Sequence, residues 1–168
     1  SHGWMTRQLY YGVAQDRIAA GMILGIGGVR ALRALGIEVD IYHLNEGHAV
    51  FAGLELIREQ MSQGMHFDDA WEAARRQIVF TTHTPVMAGN EEHDHGILAH
   101  MEAYNGLNYH QMVRIGGDPF NMTIAGLRLS YLANGVSKLH GMTARAMWRG
   151  HDGTSPIVAI TNGVHQGT

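Results

Sequence analysis

Cysteine is absent from this 168-residue chain, which excludes both a disulfide framework and a metal site built from thiolates. Basic residues are few, since 12 Lys and Arg stand against 15 Asp and Glu, and they form no stripe that would favour nucleic acid. The chain also lacks an apolar run of the roughly 20 residues that a transmembrane helix needs. These absences predict a cytoplasmic protein that has neither nucleic acid nor a membrane as a partner.

Glycine and histidine are abundant instead, with 22 and 12 residues. Many glycines indicate tight turns and close approaches between backbone segments, and many histidines raise the number of candidate ligands. With 45% hydrophobic residues, the chain is long enough to form one hydrophobic core. We therefore expect a single domain, or one piece of a larger one.

Helical and strand patterns alternate along the chain. Apolar residues spaced by three and four predict a long helix over 14–35, whose interior glycines imply that a strand or a ligand packs closely against its backbone. Short apolar runs predict strands over 39–44, 78–81, 135–139 and 157–160. Further helices are predicted over 50–61, 68–76 (capped by Asp68), 97–104, 120–133 and 142–148. Helices between short strands form βαβ crossovers, so the predicted fold class is α/β, with a parallel sheet covered by helices on both faces.

Polar side chains follow each predicted strand, at the edge where open parallel sheets bind their ligands. They are Asn45, Glu46 and His48 after the first strand, His83 and Thr84 after the second, Lys138 and His140 at the end of the third, and Asn162 and His165 after the fourth. Any one such histidine is more often a loop residue bonded to a backbone carbonyl. Glu46 has two open roles, because it can stabilise the N-terminus of the following helix or contact a ligand. Together these residues predict one wall of a cleft.

Two other motifs suggest chemistry that their context does not favour. The stretch NEEHDHG over 90–96 is rich in metal-binding side chains, but His93 and His95 lie two apart in a turn-rich loop, not at i and i+4 on a helix. We predict solvated loop residues there and no metal. The segment LGIGGVR contains glycines like those of dinucleotide-binding turns, yet it lies inside a predicted helix, so that function is not favoured.

A resemblance to a known family rests on longer blocks. The chain contains, in order, LGIGGVRALRALG, YHLNEGHAVFAGLELIRE, VFTTHTPVMAGNEEH, FNMTIAGLRLSYLANGVSKLHGMTARAMW and ITNGVH. These blocks cover 24–165 and resemble the α-glucan phosphorylases, the family of glycogen and maltodextrin phosphorylases. The resemblance implies a glycosyltransferase B-type fold, in which two Rossmann-like domains face each other across the catalytic cleft. Residues 1–168 would form the latter part of the N-terminal domain, and the C-terminal cofactor domain would be absent.

The resemblance also implies roles for individual residues. His83 is implied as the catalytic residue, with its side chain at the 6-hydroxyl of the transferred glucosyl unit, its backbone carbonyl facing the anomeric carbon, and Thr84 as its neighbour. The other implied substrate contacts are Glu46 and His48 on the β-face of the sugar, Asn162 at the 6-hydroxyl, and the backbone of a turn from Asn134 to Val136.

The implied parent enzyme releases glucose 1-phosphate from α-1,4-glucans such as glycogen, starch and maltodextrin, with inorganic phosphate as the acceptor and pyridoxal phosphate as the cofactor. The family's cofactor lysine lies in the second domain, whereas Lys138, the only lysine here, matches a block of the N-terminal domain. We therefore expect the isolated chain to be inactive, to bind no pyridoxal phosphate, and to self-associate through uncovered apolar surfaces. Two alternatives stay open, a stand-alone carbohydrate-binding or interaction module and a nucleotide-sugar glucan synthase, although THTPV and NEGH fit phosphorylases better.

Overall fold

The computed structural model describes residues 3–83 and 91–163, with side chains from residue 12 onwards. Thr84 and His165 lie outside the described residues. The helices are α1 (Gly3–Met22), α2 (Gly28–Ala34), α3 (Phe51–Ser62), α4 (Phe67–Arg75), α5 (His95–His100), α6 (Tyr109–Gly116), α7 (Met122–Leu129) and α8 (Lys138–Trp148). The strands are β1 (Tyr42–Asn45), β2 (Ile78–Thr82), β3 (Glu92–His93), β4 (Phe120–Asn121), β5 (Leu132–Gly135) and β6 (Ile157–Ala159).

Four strands form one parallel sheet in the order β1-β2-β5-β6, flanked by helices, which confirms the predicted α/β class. Tyr42 lies opposite Ile78, and Thr82 lies opposite Gly135. Parallel strands need crossover connections, and α3 and α4 make the one between β1 and β2 while α8 makes the one between β5 and β6. All four strands therefore end at the same edge of the sheet. A separate antiparallel pair joins β3 to β4.

The third strand lies earlier than the sequence predicts. β5 occupies Leu132–Gly135 and not 135–139, and α8 already begins at Lys138 and not at residue 142. The physical reason is a helix cap, because the Ser137 side chain accepts from the backbone N–H of His140 at 3.1 Å and so ends the extended segment. Upstream, the helix predicted over 120–133 is shorter in the structure. The segment begins with β4, and α7 ends at Leu129.

Helix caps also explain the differences in the middle of the chain. Asp94 accepts from the backbone of Gly96 and Ile97, so α5 begins at His95 and not at residue 97. The helix ends at His100 and not at residue 104. Helix α6 was not predicted, although Asn108 and Gln111 form a capping box at its start.

The assignment of Asp68 as the cap of α4 is wrong. His66 occupies the cap position of that helix without a side-chain cap bond. The Asp68 carboxylate instead accepts from Arg114 Nη2 at 2.6 Å, which ties α4 to α6. A carboxylate in the first turn is still favourable there, because it faces the positive end of the helix dipole.

The long N-terminal helix contains a wider turn where glycines are concentrated. Residues Ile23–Gly27 form a π-helical turn between α1 and α2. A Cβ atom on Gly25 would lie 2.6 Å from Ala52 N and 2.9 Å from the Phe51 carbonyl carbon, closer than packed atoms approach. The expected close approach to this helix is therefore confirmed at Gly25, but the neighbour is the start of helix α3 and not the predicted strand or ligand. A Cβ atom on Gly28 would meet nothing within 4 Å.

The hydrophobic core lies between the sheet and its helices. Its largest fully buried side chains include Phe51 of α3, Phe80 of β2 and Phe120 of β4, and the rings of Phe51 and Phe120 are 6.2 Å apart. In the part of the chain that the structure describes, no helix is both long enough and apolar enough to cross a lipid bilayer.

Candidate functional site

The loop after β1 is joined directly to the residue after β2. His83 lies one residue beyond β2 with an exposed ring, whose Nε2 is 2.6 Å from Asn45 Oδ1. The backbone N–H of His83 donates to Glu46 Oε1 at 3.0 Å. Because an amide oxygen can only accept, Nε2 is the donor in this contact, which leaves Nδ1 as the acceptor of the neutral ring. Two side chains from the end of β1 thus fix both the ring and the backbone of His83.

Glu46 holds this position in a strained backbone conformation. Its φ of 62° and ψ of −172° fall in a region that is almost reserved for glycine and costs about 1–3 kcal/mol. Its side chain makes no cap bond to the 3₁₀ turn Gly47–Ala49 that follows, so the helix-capping role left open by the sequence is not observed. The half-buried carboxylate is turned toward His83 N instead. Strain of this kind is concentrated at functional sites, because only surrounding structure can maintain it.

A row of side-chain hydrogen bonds crosses three adjacent strands just below this edge. The Thr81 hydroxyl donates to Asn134 Oδ1 at 2.7 Å. His43 Nε2 lies 2.7 Å from the same hydroxyl oxygen and donates to it, because the hydroxyl proton is already used. Asn134 lies within β5, so its assignment to a turn was wrong. Its side chain stabilises the sheet through this row of hydrogen bonds.

The ends of β5 and β6 meet at Val136. The carbonyl of Val136 accepts from the backbone N–H of Asn162 at 3.0 Å, and its own N–H donates to His140 Nδ1 at 3.2 Å. Since Thr82 and Gly135 are paired, His83 and Val136 are the next residues on adjacent strands, and such strands are about 5 Å apart. The sheet edge therefore carries the Glu46–His83 pair beside the Val136–Asn162 pair. The side chain of Asn162 is exposed.

His48 lies on the 3₁₀ turn beside β1, with an exposed ring and a charged neighbour in Glu91. Glu91 Oε1 is 2.8 Å from Nε2 of His93, in a contact that is not aligned as a hydrogen bond. This contact lowers the pKa of Glu91 against the opposing effect of burial, and the charges of Arg17 and His48 lower it further. Sequence patterns did not reveal this group of charges, because β3 has only two residues and shows no periodicity.

The expectation of solvated side chains over 90–96 is wrong for both histidines. His93 is 4% exposed and His95 is 7% exposed. The two ring nitrogens of His95 lie 2.8 Å from Tyr104 Oη and 2.8 Å from Gly117 O, so this ring has a structural role. Across residues 3–83 and 91–163, no group of three or more His, Cys, Asp or Glu is arranged to hold a metal ion.

The described residues do not fit a pyridoxal phosphate site. Lys138 is the only lysine of the sequence, and it lies exposed on the first turn of α8. A lysine that forms a Schiff base is activated by a desolvated pocket or by a neighbouring cation. The exposed side chain of Lys138 does not lie in a desolvated pocket.

Two buried polar atoms at this edge lack a partner among the described residues. They are Thr82 Oγ1, next to His83, and His140 Nε2, next to Val136. A buried polar group without a hydrogen bond costs about 1–3 kcal/mol. Partners for both atoms therefore have to be sought outside the described residues.

Curated relatives align with nearly the whole chain, whereas no protein-family model matches it. The maltodextrin phosphorylase of Thermococcus litoralis is 42% identical over 173 residues, which include 95% of this chain and 20% of the relative. The glycogen phosphorylase of Mycobacterium tuberculosis is 42% identical over 192 residues, with 98% of this chain and 22% of the relative. The glycogen phosphorylase of Aquifex aeolicus is 32% identical over 173 residues, with 96% and 25% covered.

The chain thus spans between 20% and 25% of the length of these relatives. Identity of 42% over 95% of the chain is independent support for the blocks found in the sequence. The resemblance is confirmed, and the chain is homologous to a segment of the α-glucan phosphorylases, the family of glycogen and maltodextrin phosphorylases.

Proposed function

We propose that this chain supplies one wall of the glucosyl site in a cytoplasmic α-glucan phosphorylase, as the latter part of its N-terminal Rossmann-like domain. The complete enzyme would have the two-domain glycosyltransferase B-type fold and would transfer a glucosyl unit from an α-1,4-glucan to inorganic phosphate. Its product would be glucose 1-phosphate. The observation that supports this most strongly is the fixation of His83 by Asn45 and Glu46 at the carboxyl edge of the parallel sheet.

His83 is the proposed catalytic residue. Its Nε2 faces Asn45 as a donor, so the Nδ1 of the neutral ring would accept a hydrogen bond from the 6-hydroxyl of a sugar. Its backbone carbonyl dipole would face the anomeric carbon, where positive charge develops as the glycosidic bond breaks. A dipole that is oriented before the reaction stabilises such charge without reorganising. Glu46 contributes by holding the N–H of the same residue, so its proposed role is to position His83 as well as to line the pocket.

The remaining proposed contacts complete the pocket wall. Asn162 follows β6 with an exposed amide, which can both donate to and accept from a sugar hydroxyl. His48 would line the β-face of the sugar, and Thr84 would lie beside His83. A pocket that pairs several hydroxyls rejects analogues that lack them, because its own polar groups would then be left unpaired.

The test uses the complete protein that contains this chain, glycogen or maltoheptaose, and inorganic phosphate, with glucose 1-phosphate as the measured product. We expect His83→Ala to lower kcat/KM by about 100-fold or more, since it removes a contact to the reacting sugar. His100→Ala is the matched control, because His100 is an exposed histidine at the end of α5, and it should change kcat/KM less than twofold. Equal activity of the two variants would remove His83 from the site.

A second measurement separates the enzyme from the stand-alone module. If the natural reading frame ends with this chain and the chain binds maltoheptaose without producing glucose 1-phosphate, the chain is a carbohydrate-binding module and the proposal fails.

A further inference from the structure

We propose that His140 is a positioning residue of the glucosyl site, acting through Val136 on Asn162. The inference rests on the proposed function. It gives a role to His140, which is buried. It concerns the first turn of α8, directly behind the sheet edge.

The hydrogen bonds on Val136 carry the argument. Val136 donates its N–H to His140 Nδ1 at 3.2 Å, and its carbonyl accepts from Asn162 N at 3.0 Å. Val136 is therefore held on one side by an α8 side chain and on the other by the residue whose amide is proposed to contact the sugar. Rotation of the backbone at Val136 would move Asn162, so the His140 bond restrains both.

The imidazole itself is held firmly. His140 is 9% exposed, and its backbone N–H donates to Ser137 Oγ at 3.1 Å. A Cβ atom on Gly135 would lie 2.7 Å from His140 Nδ1 and 2.9 Å from Gly141 N. β5 thus ends in a glycine at the point where the His140 ring and the backbone of α8 approach the strand. The imidazole ring of His140 therefore has little room to move.

The bond also defines the protonation of the ring. Nδ1 accepts from Val136 N–H, so it carries no proton, and the ring is neutral with its proton on Nε2. What positioning requires is therefore an acceptor at the Nδ1 position. Asparagine offers its Oδ1 close to that position, whereas glutamine reaches the position of Nε2, and leucine offers no acceptor at all.

The test compares His140→Asn, His140→Gln and His140→Leu in the complete protein, with thermal unfolding recorded for each. We expect kcat/KM for phosphorolysis to fall about 10-fold to 100-fold in the Leu and Gln variants and to stay within about fivefold of the parent in the Asn variant. Similar losses in the Asn and Gln variants, or parent-like kcat/KM in the Leu variant, would overturn the proposal. A structural role alone would lower the unfolding temperature without this dependence on the acceptor position.

A second readout does not depend on catalysis. In the ¹⁵N-labelled chain, hydrogen exchange at the Val136 amide should accelerate at least about tenfold in His140→Leu and remain slow in His140→Asn, while exchange at Ile57 in the core of α3 stays constant. Unchanged exchange at Val136 would contradict the positioning role. If the parent protein shows no phosphorolysis, the proposed function fails, and the exchange experiment still decides whether His140 restrains Val136.

Discussion

Replacing Glu55 with glutamine tests how a buried carboxylate stabilises this fold. Glu55 is fully buried in α3, and Arg58 donates to its two oxygens at 2.6 and 3.0 Å. Arg30 of α2 donates at 3.1 Å to each oxygen, and Asn105 donates at 2.7 Å. Burial by itself would raise the pKa of Glu55, but these donors outweigh it and lower the pKa to about 2. The carboxylate thus joins α2, α3 and the segment that precedes α6.

The magnitude follows from the two pKa values. A carboxylate whose pKa is lower in the folded than in the unfolded state stabilises the fold above its unfolded pKa, and this contribution is lost as the pH falls through the folded pKa. A change from 4.5 in the unfolded chain to about 2 in the folded chain corresponds to on the order of 3 kcal/mol at pH 7. Of this, about 2 kcal/mol should disappear between pH 5 and pH 3.

Urea unfolding followed by circular dichroism at pH 7, 5, 4 and 3 measures this contribution. We expect Glu55→Gln to lower the free energy of unfolding by about 3 kcal/mol at pH 7 and the difference from the parent to shrink by about 2 kcal/mol at pH 3. Glu59→Gln is the matched control in the same helix, because Glu59 pairs with the partly exposed Arg33 and should contribute less than about 1 kcal/mol. A difference between Glu55→Gln and the parent that is the same at every pH would refute the reasoning.

Three further predictions concern packing, cofactor and assembly. Gly25→Ala should lower the free energy of unfolding by about 2 kcal/mol or more, since its Cβ would meet backbone at 2.6 Å. Gly28→Ala has open space around the new Cβ and should raise the free energy of unfolding by up to about 1 kcal/mol. Urea unfolding that shows the reverse order would contradict the packing. The isolated chain should bind no pyridoxal phosphate, and an absorbance band that survives desalting but disappears in Lys138→Ala would show that it does. Light scattering should show oligomers that Ile160→Asp reduces, because Ile160 is 57% exposed beside the edge strand β6, and a clean monomer at high concentration would count against this.

Sequence patterns predicted the parts of the fold that local composition decides. The buried run that begins at Ile78 predicted β2, and the apolar spacing from Val50 to Met61 predicted α3, because both segments present a regular hydrophobic pattern to one core. The strand ends of β1 and β2 could therefore be located to within a residue. The positions of these two strand ends also predicted that Glu46 and His83 lie close together.

The errors arose where a local cap or a distant contact decides the structure. The apolar residues around Gly135 fit a strand in either of two positions, and the Ser137 cap selects the earlier one. The burial of His93 and His95 depends on β4 and on the loop at Gly117, more than 20 residues away, so no local pattern indicates it. Tertiary contacts of this kind also bring His140 to Val136.

The most direct measurement is a crystal structure of the complete protein with glucose bound. The proposed site predicts one pyranose ring whose 6-hydroxyl lies within hydrogen-bonding distance, about 3 Å, of both His83 Nδ1 and the Asn162 side chain. Glucose bound elsewhere, or His83 and Asn162 side chains more than about 12 Å apart and so beyond the reach of one sugar through short hydrogen bonds, would contradict the account.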